Sequence, residues 1–156
     1  MAEVIAVVGA VSAFASLIDL CFTLGKSLNT MREAYVDAPE AISLLAADVD
    51  SFCSILRQIA NTLEQGLAKG LEYPVHVRAN LRSIIQSCSI LLLNLQKMLR
   101  KFEDFSDLVG RGNAIGILVT KLRFRWVWEE KRVVKIQQVL QNQKLTLNAQ
   151  IVAMTA

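Results

Sequence analysis

The sequence predicts an all-α protein, an up-and-down bundle of four to five helices with a strongly apolar N-terminal helix. Of its 156 residues, 53% are apolar and 20% charged, and only seven are Gly and two Pro. That composition suits long helices better than a loop-rich β protein or a disordered chain. No Asn-Gly or Asp-Gly hairpin turn occurs, and no stretch alternates apolar and polar residues with period two. Two long segments instead repeat apolar residues at steps of three and four, the seam of a packed bundle.

The first helix is expected from about Ala2 to Ala34, ended by the turn around Asp37-Ala38-Pro39, since Pro39 disfavours helix at the residue before it. A second helix, from Pro39 to about Gln65, carries Ile42, Leu45, Val49, Phe52, Leu56, Ile59 and Leu63 on one stripe. Gly66 and Gly70 bracket a short connection, as glycines do just past a helix end. The third helix, from Pro74 to about Phe102, repeats the pattern with Leu81, Ile84, Cys88, Leu91, Leu95, Met98 and Phe102. Two such helices with a short loop between them are expected to pack directly and antiparallel. Glu103 to Gly116, with Gly110, Gly112 and Gly116, reads as a loop with a helical turn at Phe105 to Val109. A last helical stretch follows, broken near Trp126, with Glu129 and Glu130 in the first turn of a new helix. Its stripe is Val133, Ile136, Leu140, Leu147, Ile151 and Met154, still running when the chain stops. The expected organisation is one domain over 1–156, the N-terminal domain of a longer protein.

Little in the chain suggests catalysis. His76 is the single histidine, and Cys21, Cys53 and Cys88 lie far apart in sequence within apolar helical settings. Neither a zinc site nor a Cys/His nucleophile pair can be assembled from them, and no cofactor is implied. The odd cysteine count and the apolar settings argue against a disulfide framework and for a reducing, cytoplasmic compartment. The acid pairs Asp48/Asp50, Glu103/Asp104 and Glu129/Glu130 are one or two residues apart and do not share a helix face. Gly110-Arg111-Gly112 lacks the preceding strand and the Lys-Ser/Thr of a phosphate loop. The expectation is a non-enzyme.

Charge is unevenly spread. Residues 1–96 carry six Lys/Arg against nine Asp/Glu, and residues 97–156 carry eleven against five. Lys121, Arg123 and Arg125 interleave with Phe124, Trp126 and Trp128, and Lys131 and Arg132 follow. Basic residues among aromatics suit an anionic lipid surface or a nucleic acid, but two large aromatics closing the bundle end, with the basic side chains pointing to water, explain the cluster better than either alone.

The N-terminal segment carries the most information. Val4 to Ile18 contains no charged residue, and only Ser12 and Ser16 are polar. A helix without a polar face belongs buried all round or in lipid. Ala6/Ala10, Gly9/Ala13 and Ser12/Ser16 place small residues four apart, a spacing that lets helix backbones approach closely. Fifteen uncharged residues span roughly 22 Å, short of the ~30 Å hydrocarbon core of a bilayer. A longer span would drag Asp19 into lipid. Ala13-Phe14-Ala15 imitates a signal-peptidase site, but no Lys or Arg precedes the apolar run and Glu3 stands where positive charge belongs. The expectation is a central helix of the resting bundle that membranes can accept on release.

The opening run Met1 to Leu20, with Met-Ala, a Gly/Ala/Ser-rich apolar helix and Asp19, resembles the start of the HeLo-like N-terminal domains of fungal STAND (NOD-like receptor) and ankyrin-repeat proteins. The tail is similar too: Trp126-Val127-Trp128-Glu129-Glu130-Lys131, then a helix through Gln143-Lys-Leu-Thr-Leu-Asn148. The resemblance spans nearly the whole chain through degenerate motifs. It implies a bundle akin to the HeLo domains of heterokaryon incompatibility, the four-helix executioner domain of necroptosis and the coiled-coil domains of plant resistance proteins. The implied function is regulated cell death or innate immunity, by self-association and membrane permeabilisation at the plasma membrane. By position, the insertion and oligomerisation residues are Val4, Ile5, Ala6, Val8, Gly9, Ala10, Ala13, Phe14, Ser16 and Leu17, of which one is Gly. Lys121, Arg123, Arg125, Lys131 and Arg132 are the expected contacts to anionic lipid. The implied partners are copies of itself, anionic membrane lipids and the downstream domains of the same protein, with no nucleic acid. The alternative is an oligomerisation or adaptor module of a larger fungal receptor that does not touch lipid.

Overall fold

Four helices make up the structure, a computed structural model: α1 (Ala2–Ala34), α2 (Glu40–Ala68), α3 (Val75–Val109) and α4 (Ile115–Thr155). It describes the backbone of residues 2–34, 40–109 and 115–155, and the side chains at 8–30, 32, 40, 42–100 and 133–155. No strand occurs among the described residues. The fold is an all-α bundle.

The apolar stripes read from the sequence are the buried ones. All seven stripe residues of α2, from Ile42 to Leu63, are buried, as are Leu81, Ile84, Cys88, Leu91, Leu95 and Met98 of α3. Phe102 lies outside the described side chains. On α4, Val133, Leu140, Leu147, Ile151 and Met154 are buried and Ile136 is half-buried against them. Phe14, Leu17, Cys21, Leu24 and Leu28 supply the stripe of α1. One continuous core runs between the four helices.

The packing order corrects the expected α2/α3 pair. α1 packs on α2 and α3, and α4 packs on the same two, whereas among the described residues α2 and α3 have no Cα atoms within 8 Å of each other, nor do α1 and α4. In cross-section the order around the bundle is therefore α1, α2, α4, α3. Each long stripe looks across the interior at the other, and the side chains of α1 and α4 close the flanks.

Interhelical bonds fix the directions. Cys21 Sγ donates to Val49 O at 3.4 Å and Cys53 Sγ to Ile18 O at 3.9 Å, so α1 and α2 run antiparallel. Gln150, buried, donates from Nε2 to Val77 O at 3.3 Å, and Cys88 Sγ donates to Gln143 Oε1 at 3.9 Å, so α3 and α4 also run antiparallel. On the α2/α4 flank Asp48 accepts from Gln141 Nε2 at 3.1 Å and Lys144 Nζ at 3.4 Å.

The connection between α2 and α3 shows how the chain crosses the diagonal. Gly70 has φ +68°, and two bonds, Leu71 N to Gly66 O at 2.9 Å and Gly70 N to Leu67 O at 3.0 Å, form a Schellman stop. Gly66 itself is inside α2, not beyond it, because Tyr73 folds back over it: a Cβ at Gly66 would collide with the phenol oxygen. Tyr73 is buried and its hydroxyl reaches Thr62 O at 3.5 Å. Pro74 O accepts from Val77 N and Arg78 N, opening α3 where the proline predicted a start.

Two further expectations give way. α3 continues as helix to Val109, so the expected loop over Glu103–Gly116 is narrower, with residues 110–114 outside the described set. α4 runs unbroken through Trp126, so Glu129 and Glu130 stand mid-helix and do not open a new one. Helical propensity holds through the segment because it contains no proline and its last Gly is Gly116.

The three cysteines are buried and free, and Cys53 and Cys88 neighbour Cys21 electrostatically. Burial pushes the Cys88 thiol from its ordinary 9.0 up to about 12. Cys21 is pushed up by burial first, then by Cys53, Asp50 and Cys88. Thiols held neutral in this way are small apolar core groups and poor nucleophiles.

Phe52→Ala, which empties a fully buried site, is expected to lower stability by ~3–5 kcal/mol, whereas Phe22→Ala, on an exposed site, should fall within about 0.5 kcal/mol of wild type in denaturant titrations. The raised thiols set an alkaline limit. Above pH 9 the unfolded chain releases thiol protons that the folded chain retains, so stability falls as pH rises from about 9 to about 12. Thermal midpoints measured across that range should decline less steeply for a Cys21→Ala/Cys88→Ala variant. An identical slope would place the ionisation elsewhere.

Candidate functional site

The described features that bear on function are the outer face of α1 and the groove between α3 and α4. Both arise because each helix is apolar beyond what its core stripe uses.

α1 is not buried all round, contrary to the expectation of a central helix. It touches two neighbours and turns one face outward, so Val8 is 52% and Phe22 60% exposed. The outward stripe steps by three and four through Val8, Ser12, Ala15, Asp19, Phe22 and Lys26. Its small residues, its hydroxyls and the exposed Asp19 and Lys26 make this tolerable: Ser16 Oγ bonds Ser12 O at 3.3 Å and Thr23 Oγ1 bonds Asp19 O at 2.9 Å, so these hydroxyls are satisfied by the helix itself.

The residues expected on α1 therefore divide. Phe14 and Leu17 point into the core, Ala10 and Ala13 are half-buried, and Val8, Gly9 and Ser16 are exposed. Val4, Ile5 and Ala6 lie on the helical backbone with side chains outside the described residues. The structure does not gather the ten into one surface. Gly9 and Ala10 border a small cleft with Val75, Arg78, Ala79 and Arg82 of α3. Val8–Thr30 is apolar enough to cross a bilayer by length and composition alone, its most apolar 18 residues having mean hydropathy 1.7 with 28% of them buried, a test that the core helix of a soluble bundle also meets.

Lys121, Arg123, Arg125, Lys131 and Arg132 all lie on α4, but their side chains fall outside the described residues. The basic surface that is described belongs to residues not singled out from the sequence. Between α3 and α4 runs a groove of about 860 Å³ with Leu91, Met98, Ile136 and the exposed Ile90 and Val139 along it. Lys97, Arg100 and Lys135 edge it, and no described carboxylate lines it. Its signal in the sequence was Ile90 on α3 and Val139 on α4, large apolar residues that the core stripes do not require.

No group of His, Cys, Asp or Glu suited to holding a metal ion occurs among the described residues. His76 is exposed in the first turn of α3.

Gly9 has no atom within 4 Å of an added Cβ, so Gly9→Ala gains helix propensity without a clash and should raise stability by ~0.5–1 kcal/mol in thermal melts. A loss of stability would mean that α1 packs more closely there than the open space indicates. Compared with known proteins, the chain matches no family model, no curated protein and no solved structure.

Proposed function

We propose that this bundle is a regulated cell-death or innate-immunity signalling domain of the HeLo-like kind, which self-associates and permeabilises anionic membranes through α1. One observation carries the reading: the most apolar helix of the chain sits on the flank of the bundle, with Gly9, Ser12, Ala15, Ser16 and Phe22 open to solvent. A helix of that kind has two uses that a core helix lacks. It can meet another copy without unfolding, and it can leave for lipid. In the resting cell the domain is cytoplasmic, and it reaches the plasma membrane on activation.

The energetics separate the two uses. Phe14, Leu17, Leu24 and Leu28 are buried almost completely, and exposing them together costs on the order of 10 kcal/mol. That is comparable with the whole stability of a domain, ~5–15 kcal/mol. Release of α1 thus needs the bilayer to take those side chains as they leave the core. The anchored stripe favours the second reading, an adaptor that associates through α1 while the bundle stays closed. It predicts stable oligomers in solution and no liposome binding.

Dye release from liposomes containing anionic lipid tests the membrane step. Gly9→Glu places a charge in open space on α1 and keeps the bundle folded, and it should reduce release at least about tenfold by the cost of a charge in hydrocarbon. Deletion of residues 2–20 should abolish release. Unchanged release by Gly9→Glu, with folding intact, would sink the mechanism and leave the adaptor reading.

A further inference from the structure

We infer that the domain associates head to tail, with Phe22 on the α1/α2 side of one copy seated in the α3/α4 groove of the next. This rests on the self-association in the reading above and names its surfaces.

The packing order puts the two surfaces on opposite sides. α1 and α2 are neighbours on one side of the bundle and α3 and α4 on the other, because α2 meets α3 only across the interior. Charge divides along the same line. Residues 1–68 carry three Lys/Arg against eight Asp/Glu, whereas residues 69–156 carry fourteen against six. Among the described side chains the split is three Lys/Arg against five Asp/Glu on α1 and α2, and seven against one from residue 69 onward, so the described surface is polarised from the α1/α2 side to the α3/α4 side and a second copy presents the complementary charge.

The local chemistry matches. Phe22, 60% exposed, is the aromatic among the exposed large apolar side chains described. Asp19 is exposed one turn before it, with Lys26 one turn after. Asp50 of α2 lies at the same seam, its Oδ1 3.1 Å from where a Cβ on Gly25 would be. The groove of about 860 Å³ opposite offers an apolar floor, with Lys97, Arg100 and Lys135 at its edges. An aromatic anchor entering an apolar pocket, with carboxylates meeting cations at the rim, is the usual arrangement of an interface centre. Pairing groove with groove would bring the three cations against their own copies. A contact between unlike faces leaves one free face on each end, so copies add into rings or open chains.

Complementation between two one-sided variants tests this on the full chain. Phe22→Asp spoils one face and Ile90→Asp the other, both at exposed positions, and circular dichroism with thermal melts verifies folding. Val152→Asp, exposed on α4 outside the groove lining, is the control. In sedimentation velocity, wild type and Val152→Asp should form species that grow with protein concentration and shrink with added salt. Each one-sided variant should remain monomeric, its association weakened at least tenfold, and an equimolar mixture of the two should give dimers and nothing larger. A wild type monomeric throughout, or a mixture of the two variants that stays monomeric while wild type assembles, would overturn the proposal. In the latter case, if Gly9→Glu still reduces dye release, the interface is wrong and the membrane reading stands. Absence of both assembly and release removes both.

Discussion

Burial of one shared apolar seam governs the rest of this bundle, because the two most regular stripes, on α2 and α3, face each other across the interior without backbone contact. Leu45, Phe52, Leu56 and Leu63 on one side and Leu81, Cys88, Leu92 and Leu95 on the other leave gaps along both flanks. α1 and α4 fill those gaps and receive their orientation from them. The neutral thiols and the buried Gln150 follow from the same constraint, since small or internally bonded groups are what a closed interior accepts.

The parts legible in the sequence were those in which one period decides. The stripes of α2 and α3, the core positions of α4 and the turn at Gly70 all express local spacing, and the structure buries or bends them accordingly. Adjacency was not legible. A short loop between two patterned helices suggests a pair in contact, but the second helix takes the diagonal place, and the turn into it is closed by Tyr73 folding over Gly66, a contact that no period reports. The loop expected over Glu103–Gly116 and the break expected near Trp126 show the opposite error: α3 continues to Val109, and α4 is already helical at Ile115 and runs on through Trp126.

α1 shows why hydrophobicity alone does not place a helix. Its lack of charge implied burial on every side, yet half its apolar character is carried by Ala, Gly and Val, whose small areas lose little by facing water. The groove on α3 and α4 arises from the reverse bias: large side chains such as Ile90 and Val139 stand outside the core stripe. Small residues on one flank and large ones on the other give the molecule two unlike sides, and the distribution of charge reinforces the difference.

The diagonal connection also bears on how the chain reaches its native state. α1 with α2, and α3 with α4, are two helical hairpins made of contacts near in sequence, and residues 69–74 are the link between them. Hairpins of that kind close early, since little chain entropy opposes them. What remains is the docking of two preformed halves around a single hinge. Were that hinge to straighten before docking, the same two halves would fit those of another molecule equally well, and Gly70 with its sharp Schellman stop keeps the partners within one chain.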